Sequence, residues 1–149
     1  MSADPARPTA VAFPAAPSDA RLGPFEVTAE PQALAEYAEA TGDGRTASVP
    51  ATFPIVWLSR AEIREALIAL LRPGELAFHE EQAFDYHAPL EPGRSYRLSV
   101  ELRRNDRPAQ VALAARVSDG DHAPVLAIRT VLRLLNPEES GAGPAGATA

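Results

Sequence analysis

At 149 residues the chain is one domain long and large enough to enclose a hydrophobic core, and 46% of its residues are hydrophobic. A formal net charge of −6 argues against a nucleic-acid surface, and the absence of Cys excludes disulfides, a thiolate nucleophile and a Cys-based metal site. No apolar run approaches the ~20 residues of a membrane span, and Pro8, Pro14 and Pro17 interrupt any leader-like stretch. The expectation is a soluble, cytoplasmic protein with no nucleic-acid or membrane partner.

In chain order, residues 1–21 are rich in Ala and Pro and are expected to be a disordered tail. Phe25 to Thr28 is a short strand after the Gly23-Pro24 turn signal. Thr28 is placed to cap a helix with Pro31 in its first turn. Leu34, Tyr37, Ala38 and Thr41 recur at helical spacing, and Gly42 ends that helix. A polar loop, DGRTASVP, follows from Asp43 to Pro50. Next comes the longest apolar-rich run, FPIVWLSRAEIREALIALL, read as one long helix from Pro54 to Leu71 of roughly 27 Å. Ile63, Ala66, Leu67, Leu70 and Leu71 form its apolar face. Ser59 and Glu62 have capping-box spacing, and Arg72-Pro73-Gly74 stops the helix.

Beyond Gly74 the pattern changes to period two. Phe84, Tyr86 and Ala88 share one face of a strand, with Asp85 and His87 on the other. A turn at Pro89–Gly93 leads to strict alternation from Ser95 to Arg103, with Tyr96, Leu98, Val100 and Leu102 on the apolar side. Val111, Leu113, Ala115 and Val117 alternate in the next strand. Leu126, Ile128, Leu132 and Leu134 do so in the last, with Arg129 and Arg133 opposite. Residues 137–149 are a second expected tail, which leaves 22–136 as the domain. Four amphipathic strands need an apolar object to cover, and the long helix is the one available. The fold class is therefore α+β: an antiparallel sheet wrapped around one central helix, the hotdog arrangement. Open sheet edges make a dimer the expected remedy.

The segments FEVTAEPQALAEYAEATGD, VPATFPIVW and FDYHAPLEPG, in this order and spacing, resemble the MaoC-like hotdog hydratases and dehydratases. The likeness is to their amino-terminal, fatty-acid-synthase-dehydratase type of module and covers roughly Leu22 to Leu135. The resemblance implies dimeric units and acyl thioesters of coenzyme A or acyl carrier protein as ligands. It implies reversible addition of water across a 2-enoyl thioester, a hydro-lyase reaction of fatty acid metabolism, with no cofactor. Catalytic members carry Asp-x-Asn-Pro-x-His after the first helix. Here Asp43 matches the Asp, but Arg45 and Thr46 replace Asn and Pro, and Ser48 stands at the His position. Serine without an adjacent base cannot do the work of imidazole. Motif-less modules of this kind act as the partner half of a catalytic hotdog subunit and shape its acyl pocket. Two other readings stay open: a self-sufficient homodimeric hydratase or thioesterase with relocated groups, and a module that binds an acyl thioester without turnover.

Candidate catalytic residues are Asp43, His79 and His87, each also readable as an ordinary surface or turn residue. Eight positions apart on one strand, the two histidines would be roughly 26 Å from each other and cannot share a site. The N–H groups of Thr52 and Phe53 match the position that stabilises the thioester enolate in the family. Phe53 and Trp57 are candidates for core or acyl-pocket lining. Arg94, with Arg97, Arg103, Arg104 and Arg107, offers phosphate contacts for coenzyme A. Glu62 and Glu65 are the thioesterase alternative on the central helix, with a solvated helix face as the plainer reading. His122 sits beside Asp121 in a loop, and scattered histidines without ligand spacing imply no metal.

Overall fold

The computed structural model describes residues 19–42 and 48–140. Five strands form one antiparallel sheet: β1 (Asp19–Thr28), β2 (Leu76–Tyr86), β3 (Ser95–Asp106), β4 (Ala109–Ser118) and β5 (Pro124–Leu135). Their order across the sheet is β1-β3-β4-β5-β2. From β1 at one edge the helices lead to β2 at the other, and β3, β4 and β5 then fill the centre as a meander. The strictly alternating residues line one face. Tyr96, Leu98, Val100 and Leu102 of β3, Val111, Leu113, Ala115 and Val117 of β4, and Leu126, Ile128 and Leu134 of β5 are all buried there.

β1 is the strand that sequence patterning under-read. It begins at Asp19 rather than Phe25, three residues inside the segment expected as a tail. The Gly23-Pro24 turn signal marks a bulge instead, with the register to β3 shifting between Leu22 and Phe25. Gly23 has φ +95°, and a Cβ there would lie 2.6 Å from the Leu98 carbonyl oxygen. Glycine is the residue that lets the strand continue past this point.

Helix α1 (Pro31–Thr41) ends at Gly42 in the left-handed conformation, as its sequence predicts. Its expected cap does not form, because Thr28 Oγ1 shares a 2.7 Å hydrogen bond with Ser95 Oγ in the sheet. The single long helix is likewise corrected. A 3-10 helix (Phe53–Ser59) is followed by α2 (Ala61–Leu70), each roughly 15 Å long. Arg60, with φ −59° and ψ 145°, is extended between them. Ser59 does not cap α2, since its hydroxyl donates to the Val56 carbonyl at 2.6 Å. The Arg60 guanidinium lies 4.4 Å over the Phe25 ring and ties the break to β1.

Both pieces still lie on the sheet and form the core with it. Phe53, Pro54, Trp57, Ile63 and Leu70 are buried, while Ala66, Leu67 and Leu71 are half-buried. An aromatic chain joins the helical layer to β3, with ring centroids 5.5 Å apart for Tyr37–Phe53, 5.9 Å for Phe53–Trp57 and 6.2 Å for Trp57–Tyr96. At the far end, buried Arg104 donates to the Leu70 carbonyl at 2.9 Å and closes the carboxyl end of α2. A sheet wrapped around a helical layer is the hotdog fold. In the segment expected as a second tail, Pro137–Ser140 forms a short helix, α3.

Candidate functional site

Between the helical layer and the β2 edge runs a groove of about 420 Å³. Ile55 and Leu58 of the 3-10 helix and Ile63 and Leu67 of α2 form one wall. Ala77, Leu113 and Leu132 of the sheet contribute to the other, so most of the lining is apolar. Such a shape suits an aliphatic group.

One polar cluster interrupts it. His79 Nε2 lies 3.1 Å from Gln82 Oε1. Thr130 Oγ1 donates to the same oxygen at 2.9 Å, and Gln82 Nε2 donates to the Arg129 carbonyl at 3.3 Å. Residues three apart on a regular strand point to opposite faces. Here a register shift between His79 and Glu81 inserts Glu80 as a bulge, which puts His79 and Gln82 on the same face. Glu80 in turn accepts a 2.8 Å bond from Arg133. Thr130 is buried, Gln82 half-buried and His79 exposed at the groove mouth. Sequence reasoning found His79 but not its partners, because period-two counting does not register an inserted residue.

The other candidates lie elsewhere. Asp43 falls outside the described residues, and Ser48 is exposed just past that gap. His87 lies beyond the end of β2, where its backbone N–H donates to Val125, so the two histidines stand at opposite ends of the strand. It borders a separate hollow with Val49, Ala51, Tyr86 and Leu90. The Phe53 N–H is engaged by the Pro50 carbonyl at 3.0 Å, which removes it as a donor to a ligand. Thr52 Oγ1 shares a 2.6 Å hydrogen bond with the Tyr37 hydroxyl. Close by, the Tyr86 hydroxyl donates to the Ala51 carbonyl. Burial, with Tyr37 near, pushes the Tyr86 phenol up to about 12, so it stays protonated as a structural donor.

Phe53 and Trp57 are core residues within the aromatic chain, and neither lines the groove. Arg94 is exposed but occupied. It bonds Glu91 at 2.7 Å, lies 3.7 Å from Asp119 and stacks 5.6 Å from the Tyr96 ring centroid. Arg103 pairs with Glu101 at 3.7 Å, and Arg104 is buried in its own network. Glu62 lies 3.5 Å from Arg60, and Glu65 is exposed. Among the described residues, no three His, Asp or Glu side chains are grouped to hold a metal ion, and no helix is long and apolar enough to cross a membrane.

No protein-family model and no curated protein matches this chain. Solved structures do. The HadBC (3R-hydroxyacyl-ACP dehydratase) complex from Mycobacterium tuberculosis contains a chain with TM-score 0.58 and 16% identity, covering 76% of this chain and 93% of that one. A MaoC-like dehydratase aligns with TM-score 0.63 and 16% identity over 85% of this chain, which spans 44% of that larger protein. The fluoroacetyl-CoA-specific thioesterase FlK, in complex with fluoroacetate and CoA, aligns with TM-score 0.55 and 14% identity over 81% of this chain and 94% of that one. At these identities the likeness is one of fold.

Proposed function

We propose that this protein is a MaoC-like hotdog subunit of an acyl-thioester hydratase or dehydratase, and that it binds the acyl chain for a partner subunit carrying the Asp/His dyad. The observation that carries this reading is the apolar groove, which opens along the unpaired edge strand β2. A second hotdog subunit pairing with that edge would close the groove and cover Leu76 and Phe78, each about half exposed. Ser48, where the family pattern has histidine, supports assigning the chemistry to the partner. The similar HadBC dehydratase is itself a complex. The substrate is an acyl thioester of coenzyme A or acyl carrier protein, and no cofactor is needed for water addition.

General acid–base groups contribute typically about 10²–10⁴-fold to such a reaction, so a broken dyad leaves little turnover. The purified protein alone is expected to show no appreciable hydration of crotonyl-CoA, while co-expression with a dyad-bearing MaoC-like subunit gives an active complex. In that complex Asp43→Ala has a small effect. Robust hydration by the lone protein, abolished by Asp43→Ala, His79→Ala or His87→Ala, would replace this reading with a self-sufficient homodimeric enzyme. The second reading draws on His79, which lies in the groove beside an ordered amide. Acyl-CoA binding without turnover, alone or with the partner, would leave a binding module.

A further inference from the structure

We propose that the groove contains a recognition site for a hydroxyl group on the acyl chain, distant from the thioester, with His79 Nδ1 as the accepting atom. This rests on the acyl-thioester reading and specifies which acyl chains the groove prefers. The reasoning starts at a backbone carbonyl. The Arg129 oxygen can only accept, so the Gln82 atom 3.3 Å from it is the amide nitrogen. Gln82 Oε1 therefore faces Thr130 and His79, and Thr130 donates to it at 2.9 Å. An amide oxygen cannot donate. In a neutral imidazole, the nitrogen facing that oxygen, His79 Nε2 at 3.1 Å, is then the one that carries the ring proton. Nδ1 is left as a pure acceptor.

The neighbouring polar groups have partners already. Thr130, Gln82 and His79 Nε2 satisfy one another, and Ser59 on the opposite wall donates to Val56. Arg64 lines the groove as a solvated, exposed cation. The rest of the lining named above is hydrocarbon. An unsubstituted chain filling the groove displaces water from Nδ1 and offers nothing in exchange, whereas an O–H replaces the lost bond. A carbonyl facing Nδ1 brings a second acceptor and cannot replace the lost bond at that atom. The groove therefore discriminates by hydrogen-bond direction, which the Arg129 carbonyl sets through Gln82.

The test is equilibrium binding of three ligand sets to the full-length protein: dodecanoyl-CoA, its mono-hydroxylated positional isomers and the matching oxo isomers. The expected result is that one or two adjacent hydroxylated isomers bind about 3- to 10-fold tighter than dodecanoyl-CoA, while the oxo isomers match it. His79→Phe should bring the ratio of hydroxylated-isomer to dodecanoyl-CoA affinity, compared within that variant, down to about 1. Gln82→Leu, which frees the tautomer, should narrow the gap between hydroxyl and oxo isomers. Leu67→Trp, which fills the groove, should weaken all three sets. Equal binding of all ligands to the unmodified protein overturns the hydroxyl site and leaves the acyl-thioester reading standing. Tighter oxo binding overturns the tautomer assignment, and a preference that survives Leu67→Trp overturns the location. Failure of every ligand to bind sinks the acyl-thioester reading itself. Should His79→Phe not fold, the comparison of hydroxyl with oxo isomers on the unmodified protein decides alone.

Discussion

Arg104 is the residue on which burial and charge meet most directly. Its side chain is 5% exposed and forms a two-pronged pair with Glu75 at 2.7 and 2.9 Å, with Asp106 at 3.0 Å and the Leu70 carbonyl completing its partners. Alternation along β3 puts position 104 on the core side, so an arginine there is tolerable because every prong is met. The bonds from Arg104 hold the Glu75 carboxyl down at about 2, against an ordinary 4.5. A lowered carboxylate pKa means that the native state resists protonation. Its stabilisation is present in full above about pH 4.5 and is lost as pH falls toward 2. Glu75→Gln should therefore cost on the order of 3 kcal/mol near neutral pH. Urea melts of both proteins across this range check it: the gap should close as pH drops, and a pH-independent gap would contradict the ion pair as its source.

Among the elements, α2 separates its faces more sharply than its sequence pattern did. Ile63 and Leu70 are buried, whereas Leu67, central in the heptad-like spacing, is a half-buried groove wall. Leu67 keeps the apolar face that its spacing assigns, but that side of α2 fronts the groove rather than the closed core. Ile63→Ala should cost about 2–5 kcal/mol as a core cavity, and Glu65→Ala under about 1 kcal/mol. Leu67→Ala falls between them, because water can fill part of the space it leaves. Denaturant unfolding of the three variants would show this order. Gly23→Ala belongs with them, since the added methyl meets backbone at 2.6 Å and needs φ +95°. A loss above about 1 kcal/mol is expected there, with β1 destabilised first.

At the scale of the sheet, β1 and β2 are the two edge strands among the described residues. They are not equivalent. The β2 edge carries Leu76 and Phe78, with Leu135 opposite Leu76 on β5, all about half exposed, and the groove opens beside it. The proposed pairing through β2 predicts assemblies of two chains or more at micromolar concentration. Phe78→Glu should shift the population toward single chains without unfolding them. Sedimentation velocity with circular dichroism on the same samples measures both, and an unchanged distribution would place the contact elsewhere.

The sequence by itself determined the meander. Alternation within β3 and β4, and more loosely within β5, leaves one face of each strand able to enter a core, and period two assigns that face without reference to any neighbour. Gly42 and Gly74 likewise announced the helix ends through local backbone freedom. Tertiary structure decided the rest, wherever a local rule had two outcomes of similar energy. Gly23-Pro24 could turn the chain or bulge a strand, and the β3 backbone beside it selected the bulge. Ser59 could cap α2 or bond backward to Val56, and the Arg60–Phe25 stack coincides with the second. The groove's chemistry was the least legible part. It depends on Glu80 bulging from β2 so that His79 and Gln82 share a face, and on Thr130 and Arg129 arriving from a strand nearly fifty residues later in the chain. Spacing along a sequence cannot encode a juxtaposition that two paired strands create.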